Sequence, residues 1–363
     1  MSLTVRHLNA DATFLLTFEP QLARSSSSSA ASSTPLHPPD GSFTILCDPW
    51  LSGPSQIIHP IFSIQDHTVP ACISSLDEIP EPDLVLISQS KPDHCHESTL
   101  RQLRGHGSKT VILAEPNAAR RIRSWKHFDP DKVQSMRRFQ EQDGRAANVR
   151  RIRIPPTVPF GNPGEVTIAL ITKKYDLAGL HTAFGITYRP PTPWSPYGGL
   201  HPQPSLPDSP NSYHSFQSST TLSSYSSPGD RALSILFSPH GISYSDIQPY
   251  AQAHLVSEAA LPLSAFFHPF DRVQNPWWLG GNISTGLPGG LEIAQSLLAR
   301  YWIQTHDEEK MLGGFSVLNM RTEKYRPEVV QQLMARHKGQ LGTEARVLDV
   351  GEYLHVPSWG AEI

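Results

Sequence analysis

The chain has 363 residues, with 30 Lys and Arg against 33 Asp and Glu, a formal net charge of −3 and 38% hydrophobic residues. That length suits one large domain or two small ones, and the near-balanced charge excludes a global attraction to nucleic acid or to a membrane surface. No apolar run approaches the ~18 residues of a membrane span.

The amino-terminal segment MSLTVRHLNADATFLLTF has no basic stretch followed by an uninterrupted apolar core, so no secretory signal is expected. Cys47, Cys72 and Cys95 cannot all pair and show no CxxC spacing, which predicts a soluble, cytoplasmic protein with reduced thiols.

Taken in chain order, residues 3–18 and 43–47 read as the two strands of an opening hairpin. The Ser-rich segment 25–41 forms its enlarged turn. That segment and a second Ser/Pro/Gly-rich stretch, 190–230, hold too few apolar groups to offset the entropy of ordering, and both are expected to be disordered insertions. Excluding them leaves roughly 300 residues, which suits a single domain spanning 1–363.

The second strand runs into Asp48-Pro49-Trp50. A strand at 83–88 follows, then a polar loop with Asp93, His94 and His96, then a helix from about 97 to 104. A strand at 110–114 leads to a helix near 116–126, with Pro116 in its first turn. Basic residues recur from Arg120 to Arg153, but Asp129, Asp131, Glu141 and Asp143 interrupt them, as on a solvated face. Strands are expected at 165–172, 184–189, 233–238 and 264–268. Residues 288–302 carry a helical stripe of Leu291, Ala294, Leu298 and Tyr301. A last helix runs from Pro327 to Lys338, with Gly339 as its stop.

The chemistry concentrates in PDLVLISQSKPDHCHESTL, from Pro82 to Leu100. A short apolar strand delivers an Asp-His pair at its carboxyl end, and the stretch resembles the HxHxDH signature of the metallo-β-lactamase superfamily. The first two His positions are Gln89 and Lys91, while Asp93 and His94 keep the last two. The resemblance implies a four-layer αββα sandwich, an α/β fold with two sheets between helical layers. In pattern it is similar to the branch with ascorbate-phosphate lactonases and N-acyl-phosphatidylethanolamine phosphodiesterases.

The resemblance also implies where later site residues fall. His181 stands in the place of the middle His, His240 in place of the bridging Asp, and His306, followed by Asp307, in place of the final His. With Gln89 and Lys91 replacing two imidazoles, the first metal position is expected to be lost, leaving His181 as a polar residue near the cleft. Asp93, His94 and His306, with His240 as a fourth ligand, suit one Zn²⁺ or another divalent ion. Asp48 reads either as a support for that site or as an ordinary turn residue before Pro.

Lys91 could take over the charge of the missing ion and stabilise an oxyanion. His268 and Asp271, in the segment FFHPFDR, read either as proton carriers or as part of an aromatic core cluster. Trp277 and Trp278 read as pocket walls or as part of the same cluster. Two functions are consistent with these residues. One is a metal-dependent hydrolase of an ester, lactone, thioester or phosphodiester, with a small-molecule substrate. The other is a catalytically inactive pseudoenzyme that uses the fold to bind small molecules or proteins. No nucleic-acid partner is expected, since the chain has no uninterrupted basic tract.

Overall fold

The computed structural model describes residues 1–20, 41–176, 178–193, 231–335 and 342–358. Most of both Ser/Pro-rich segments lies outside the described residues. Among the described residues no helix is long and apolar enough to cross a membrane.

Two seven-stranded sheets organise the chain. The first uses β1 (Ser2–His7), β2 (Phe14–Glu19), β3 (Phe43–Cys47), β4 (Leu84–Ile87), β5 (Val111–Ala114), β6 (Val133–Ser135) and the late strand Tyr353–Pro357. The second uses β7 (Arg150–Ile154), β8 (Gly164–Thr172), β9 (Thr182–Arg189), β10 (Leu233–Phe237), β11 (Ala265–Phe267), β12 (Tyr301–Ile303) and β13 (Glu344–Arg346). With Tyr353–Pro357 as β14, the orders are β14-β1-β2-β3-β4-β5-β6 and β7 through β13 in sequence.

Each sheet is antiparallel through four strands and parallel through the rest. β14, β1, β2 and β3 pair antiparallel and β3 to β6 parallel. β7 to β10 pair antiparallel and β10 to β13 parallel. Parallel strands buried on both faces read as continuous apolar runs, and β4 (LVLI) and β10 (LSILF) do so.

Side-chain alternation then assigns the layers. Leu84 and Leu86 of β4 point into the core between the sheets, with Phe14, Phe18, Ile168, Phe237 and Phe267. Val85 and Ile87 point the other way, against α1 (Glu97–Leu100) and α2 (Pro116–Ser124). The far face of the second sheet packs on α3 (Tyr244–Tyr250), α4 (Gly286–Ser296) and α5 (Pro327–Ala335). The fold is therefore an α/β sandwich of two mixed sheets between helices.

Two expectations need correction. Residues 3–18 are themselves two paired strands, β1 and β2, and β3 adds to β2 as the third; the turn between β1 and β2 brings in Asp11. The helix expected over 288–302 ends at Ser296. Leu298 turns left-handed, and Tyr301 and Trp302 enter β12, where Trp302 pairs with Phe266. The apolar stripe satisfied either periodicity, and burial of Trp302 beside β11 decided between them. The final helix is described only to Ala335, so its expected end at Lys338 and Gly339 lies outside the described residues.

Candidate metal centre

Parallel strands present the residues beyond their carboxyl ends to a common crevice, and both sheets do so here. β3 is followed by Asp48, and β4 by a turn in which the His94 and Cys95 amides both donate to the Lys91 carbonyl, at 3.0 and 2.8 Å. On the other sheet β10 leads to His240 and β12 to His306. The crevice is where the two sheets meet.

Asp93, His94, His240 and His306 converge there, with one ligand atom from each lying within 4.8 Å of all the others. The His94 and His240 Nε2 atoms are 3.0 Å apart. Asp93 Oδ2 is 3.6 Å from His94 Nε2 and 4.0 Å from His306 Nε2. Four donors around one ion at ~2.0–2.2 Å would stand roughly 3.3–3.6 Å apart in a tetrahedron. The observed spacings bracket that value.

The outward nitrogens decide what the inward ones can do. His94 Nδ1 is 2.8 Å from Asp48 Oδ2, His240 Nδ1 is 2.9 Å from the Ile283 carbonyl, and His306 Nδ1 is 2.7 Å from Asp11 Oδ1. Asp48 and the Ile283 carbonyl accept, so Nδ1 of His94 and of His240 carries the proton; His306 Nδ1 stands between Asp11 Oδ1 and the Lys310 ammonium, 3.3 Å away, and the carboxylate favours the same tautomer. The Nε2 atoms of the neutral rings then turn lone pairs toward one another. Two lone pairs facing at 3.0 Å repel unless a cation lies between them. Asp93 Oδ1 is also buried with no hydrogen-bond partner, so the donor set fits a divalent ion.

The electrostatics favour neutral rings at His240 and His306. Burial pushes the His240 pKa well below the usual imidazole range, helped by His306, His94 and His181, and burial likewise lowers His306 despite Asp11. Burial disfavours charge on His94 too, but Asp93 and Asp48 outweigh it and raise its pKa. Burial would raise Asp93, yet His94, Lys310 and His306 hold it below the ordinary carboxyl value.

Asp48 does more than start a turn. It is fully buried, and besides His94 it accepts from the Ser88 amide at 2.7 Å and the Ser88 hydroxyl at 2.5 Å. Asp48 and His306 both have left-handed backbones, φ 39° and 62°. Such conformations cost on the order of 1–3 kcal/mol in non-glycine residues and gather at functional sites. Gly241, after His240, also has positive φ, and a Cβ there would fall 1.9 Å from Thr285 Oγ1.

Gln89, Lys91 and His181 form no ligand set with one another among the described residues. Both His181 nitrogens face backbone carbonyls, Gly241 and Asn282, at 2.9 Å each. Gln89 is buried with neither amide atom partnered. The Lys91 ammonium donates to the Ala178 carbonyl at 3.0 Å. It forms no ion pair with Asp93, the contact expected of a substitute for the ion.

His268 is fully buried among Phe266 and Trp302. Its nitrogens face the Pro269 carbonyl and the Thr285 hydroxyl, and burial lowers its pKa to about 3. It lines no part of the cavity, and this placement corrects its reading as a proton carrier in favour of the core. Asp271 does line the cavity; burial raises its pKa against the Tyr325 amide it accepts from at 2.9 Å. Asp307 accepts from the Phe270 amide at 2.6 Å, and burial beside Asp271 raises it well above the carboxyl range. Cys95 is buried in the outer core against α2.

Two residues escaped the sequence reading. Asp11 is fully buried and pairs with His306 and, at 2.9 Å, with Lys310. Burial opposes its charge, but His306 and Lys310 hold its pKa well below the carboxyl range. The one available signal was Asp11 itself, an acidic residue in the polar break between two apolar runs.

A cavity of about 630 Å³ opens onto Asp93, His240, His306 and Lys310. Trp278 stands in its wall, whereas Trp277 faces solvent.

Residues 31–173 match the beta-lactamase superfamily domain. The matched span carries Asp48, Asp93 and His94 and runs from before β3 to the end of β8. Among solved structures, the metallo-beta-lactamase fold protein YhfI from Bacillus subtilis is 9% identical, covering 98% of this chain and 99% of its own, with a TM-score of 0.44. A mutant of the β-hydroxylase CmlA is 12% identical with a TM-score of 0.48; 98% of this chain aligns to 54% of that one. No curated protein matches the sequence.

Proposed function

We propose that this protein is a metal-dependent hydrolase that holds one ion, Zn²⁺ by the chemistry of its donors, between Asp93, His94, His240 and His306. The single observation that carries the reading is the cavity. Three of the four donors line it, so an ion there would be reachable by substrate. A buried structural ion would have no such opening. A bound divalent ion would supply Lewis acidity and lower the pKa of water toward neutrality.

The chain's own groups would do the rest. Asp48, the Ile283 carbonyl and Asp11 fix the tautomers of the three imidazoles. Lys310, paired with Asp11 at 2.9 Å, lines the cavity beside the donors. Lys91 uses one donor on Ala178 and lines the cavity, where its remaining N–H groups can meet an oxyanion. Asp271 places a carboxyl group in the cavity wall, where it would be a candidate to exchange a proton with substrate. The ester, lactone, thioester and phosphodiester classes all suit this arrangement.

One observation favours the pseudoenzyme instead. Four protein donors can close a tetrahedral site and leave no position open, as in structural zinc centres. Metal analysis followed by a panel of ester, lactone, thioester and phosphodiester substrates separates the two. The hydrolase reading expects about one ion per chain and turnover abolished by chelator and by His94→Ala. Full metal occupancy with no turnover on any class would favour the closed, binding-only site.

A further inference from the structure

Of the arginines from Arg120 to Arg153, Arg121 alone is half-buried; the rest are exposed. Its guanidinium turns back from α2 onto the turn after β4, where Nη1 donates to the Ser90 carbonyl at 2.9 Å. Lys91 is the next residue. It too is half-buried, and its ammonium donates to the Ala178 carbonyl at 3.0 Å. Among the described residues neither of these cations forms an ion pair. Arg101 stands between α1 and α2, with Nε on Glu97 at 2.8 Å and Nη2 on the Trp125 carbonyl at 3.3 Å.

These three cations line a cleft of about 790 Å³, with Ser90, Ser98 and Gln56 as further polar groups. It is distinct from the metal cavity. Lys91 and Ile57 line both, but Asp93, His240 and His306 line only the first. Among the described residues Glu97 is the one carboxylate in the wall of the cleft. Burial lowers the pKa of His96, which also lines it, to about 4, so that ring is uncharged at neutral pH. The wall therefore carries three positive charges against one negative, in a chain whose net charge is −3. Cations taken partly out of water are ordinarily paired, because burial costs them hydration. Lys91 and Arg121 have only neutral carbonyls.

We propose that this cleft is a binding site for a phosphate-type dianion, held by Lys91, Arg101 and Arg121. The surplus of two positive charges matches a phosphoryl group, which carries about −1.5 to −2 at neutral pH on three acceptor oxygens. Each guanidinium offers planar N–H pairs that fit such oxygens, and Lys91 offers a compact ammonium. The site stands apart from the metal centre and does not rest on the hydrolase reading. Because Lys91 faces both spaces, a dianion in the cleft competes for the ammonium that the metal cavity would use. The cleft has room beyond one phosphoryl group, so the dianion has two sources, free phosphate or a phosphoryl group on a larger molecule, and the test separates them.

The probe is inorganic phosphate, titrated calorimetrically into the full chain at low ionic strength. Chelator is present throughout, so that no ion at Asp93 and His94 can take the anion. The expected result is saturable binding at one site per chain. Arg121→Gln and Lys91→Gln should each weaken it about 10- to 100-fold, the loss of one charge-assisted contact. Arg121→Lys keeps the charge without the planar fork and should fall between Arg121→Gln and the wild type. Glu97→Gln removes the opposing carboxylate and should tighten binding, a gain that misfolding cannot imitate.

Phenyl phosphate, titrated in the same way, identifies the source. Affinity equal to or below that of inorganic phosphate would name the free anion. Tighter binding would name a phosphoryl group carried on a larger molecule. Absence of saturable phosphate binding, or binding unchanged in both Arg121→Gln and Lys91→Gln, overturns the proposal. None of these readouts involves turnover, so the dianion site and the hydrolase reading fail separately.

Discussion

Replacing Asp48 by Asn tests the centre without touching a ligand. The carboxylate meets three donors: the Ser88 amide on Oδ1, and the Ser88 hydroxyl and His94 Nδ1 on Oδ2. Asn is nearly isosteric but has one acceptor atom. If its oxygen stays on the Ser88 amide, its NH₂ faces His94 Nδ1 and selects the tautomer protonated at Nε2. That proton points at the His240 lone pair and blocks ligation by His94. Losing an outer partner of this kind typically lowers metal affinity by ~10–100-fold, about 1.4–2.7 kcal/mol.

The assay is competition for Zn²⁺ against a chromogenic chelator, with thermal unfolding at fixed excess Zn²⁺ as a second readout. The zinc-induced stabilisation should shrink by the same ~1.4–2.7 kcal/mol, since a ligand that binds only the folded state stabilises it by RT ln(1 + [L]/Kd). An Asp48→Asn protein whose zinc affinity stays within about threefold of the wild type would refute the tautomer argument.

In Asp11→Asn a buried ion-pair partner of His306 and Lys310 is lost, at a cost of about 3–5 kcal/mol in urea unfolding at neutral pH. Because the folded Asp11 pKa is depressed, its stabilisation is present above the unfolded carboxyl value of ~3.9 and disappears as pH falls through the folded value. The gap between wild type and variant should therefore narrow only in strong acid, and a constant gap throughout would count against it. Lys91→Ala should leave metal content at the wild-type level, while turnover falls by ~10²–10³; wild-type turnover would remove Lys91 from the chemistry. Gln89→His combined with Lys91→His should still bind one ion per chain, because both His181 nitrogens are held by carbonyls. Two ions by metal analysis would show that those contacts yield.

Much of the site was legible because each inner residue lies in the polar break that follows an apolar run. Asp93 and His94 follow β4, His240 follows β10, and His306 follows β12; the order of strands and polar breaks gives their places. His268 misled for the same reason. It also follows a strand, but its ring turns back among Phe266 and Trp302, and nothing in FFHPF records that direction. Asp11 could not be placed because its partners, His306 and Lys310, are remote in sequence. Asp11 meets His306 across nearly the whole chain, with no local spacing to betray the contact.

Sequence alone determined the alternation of strands and helices, the Asp-His pair after a strand end and the presence of Gln89 and Lys91 just before it. These are local facts, set by side-chain periodicity and residue type. The structure decided that the two sheets pair with the same pattern, antiparallel then parallel, although no repeat is visible in the residues. It also decided that three imidazoles turn their lone pairs inward, because Asp48, the Ile283 carbonyl and Asp11 hold the opposite nitrogens. A tautomer depends on what faces each ring nitrogen, and those neighbours come together only when the sheets pack.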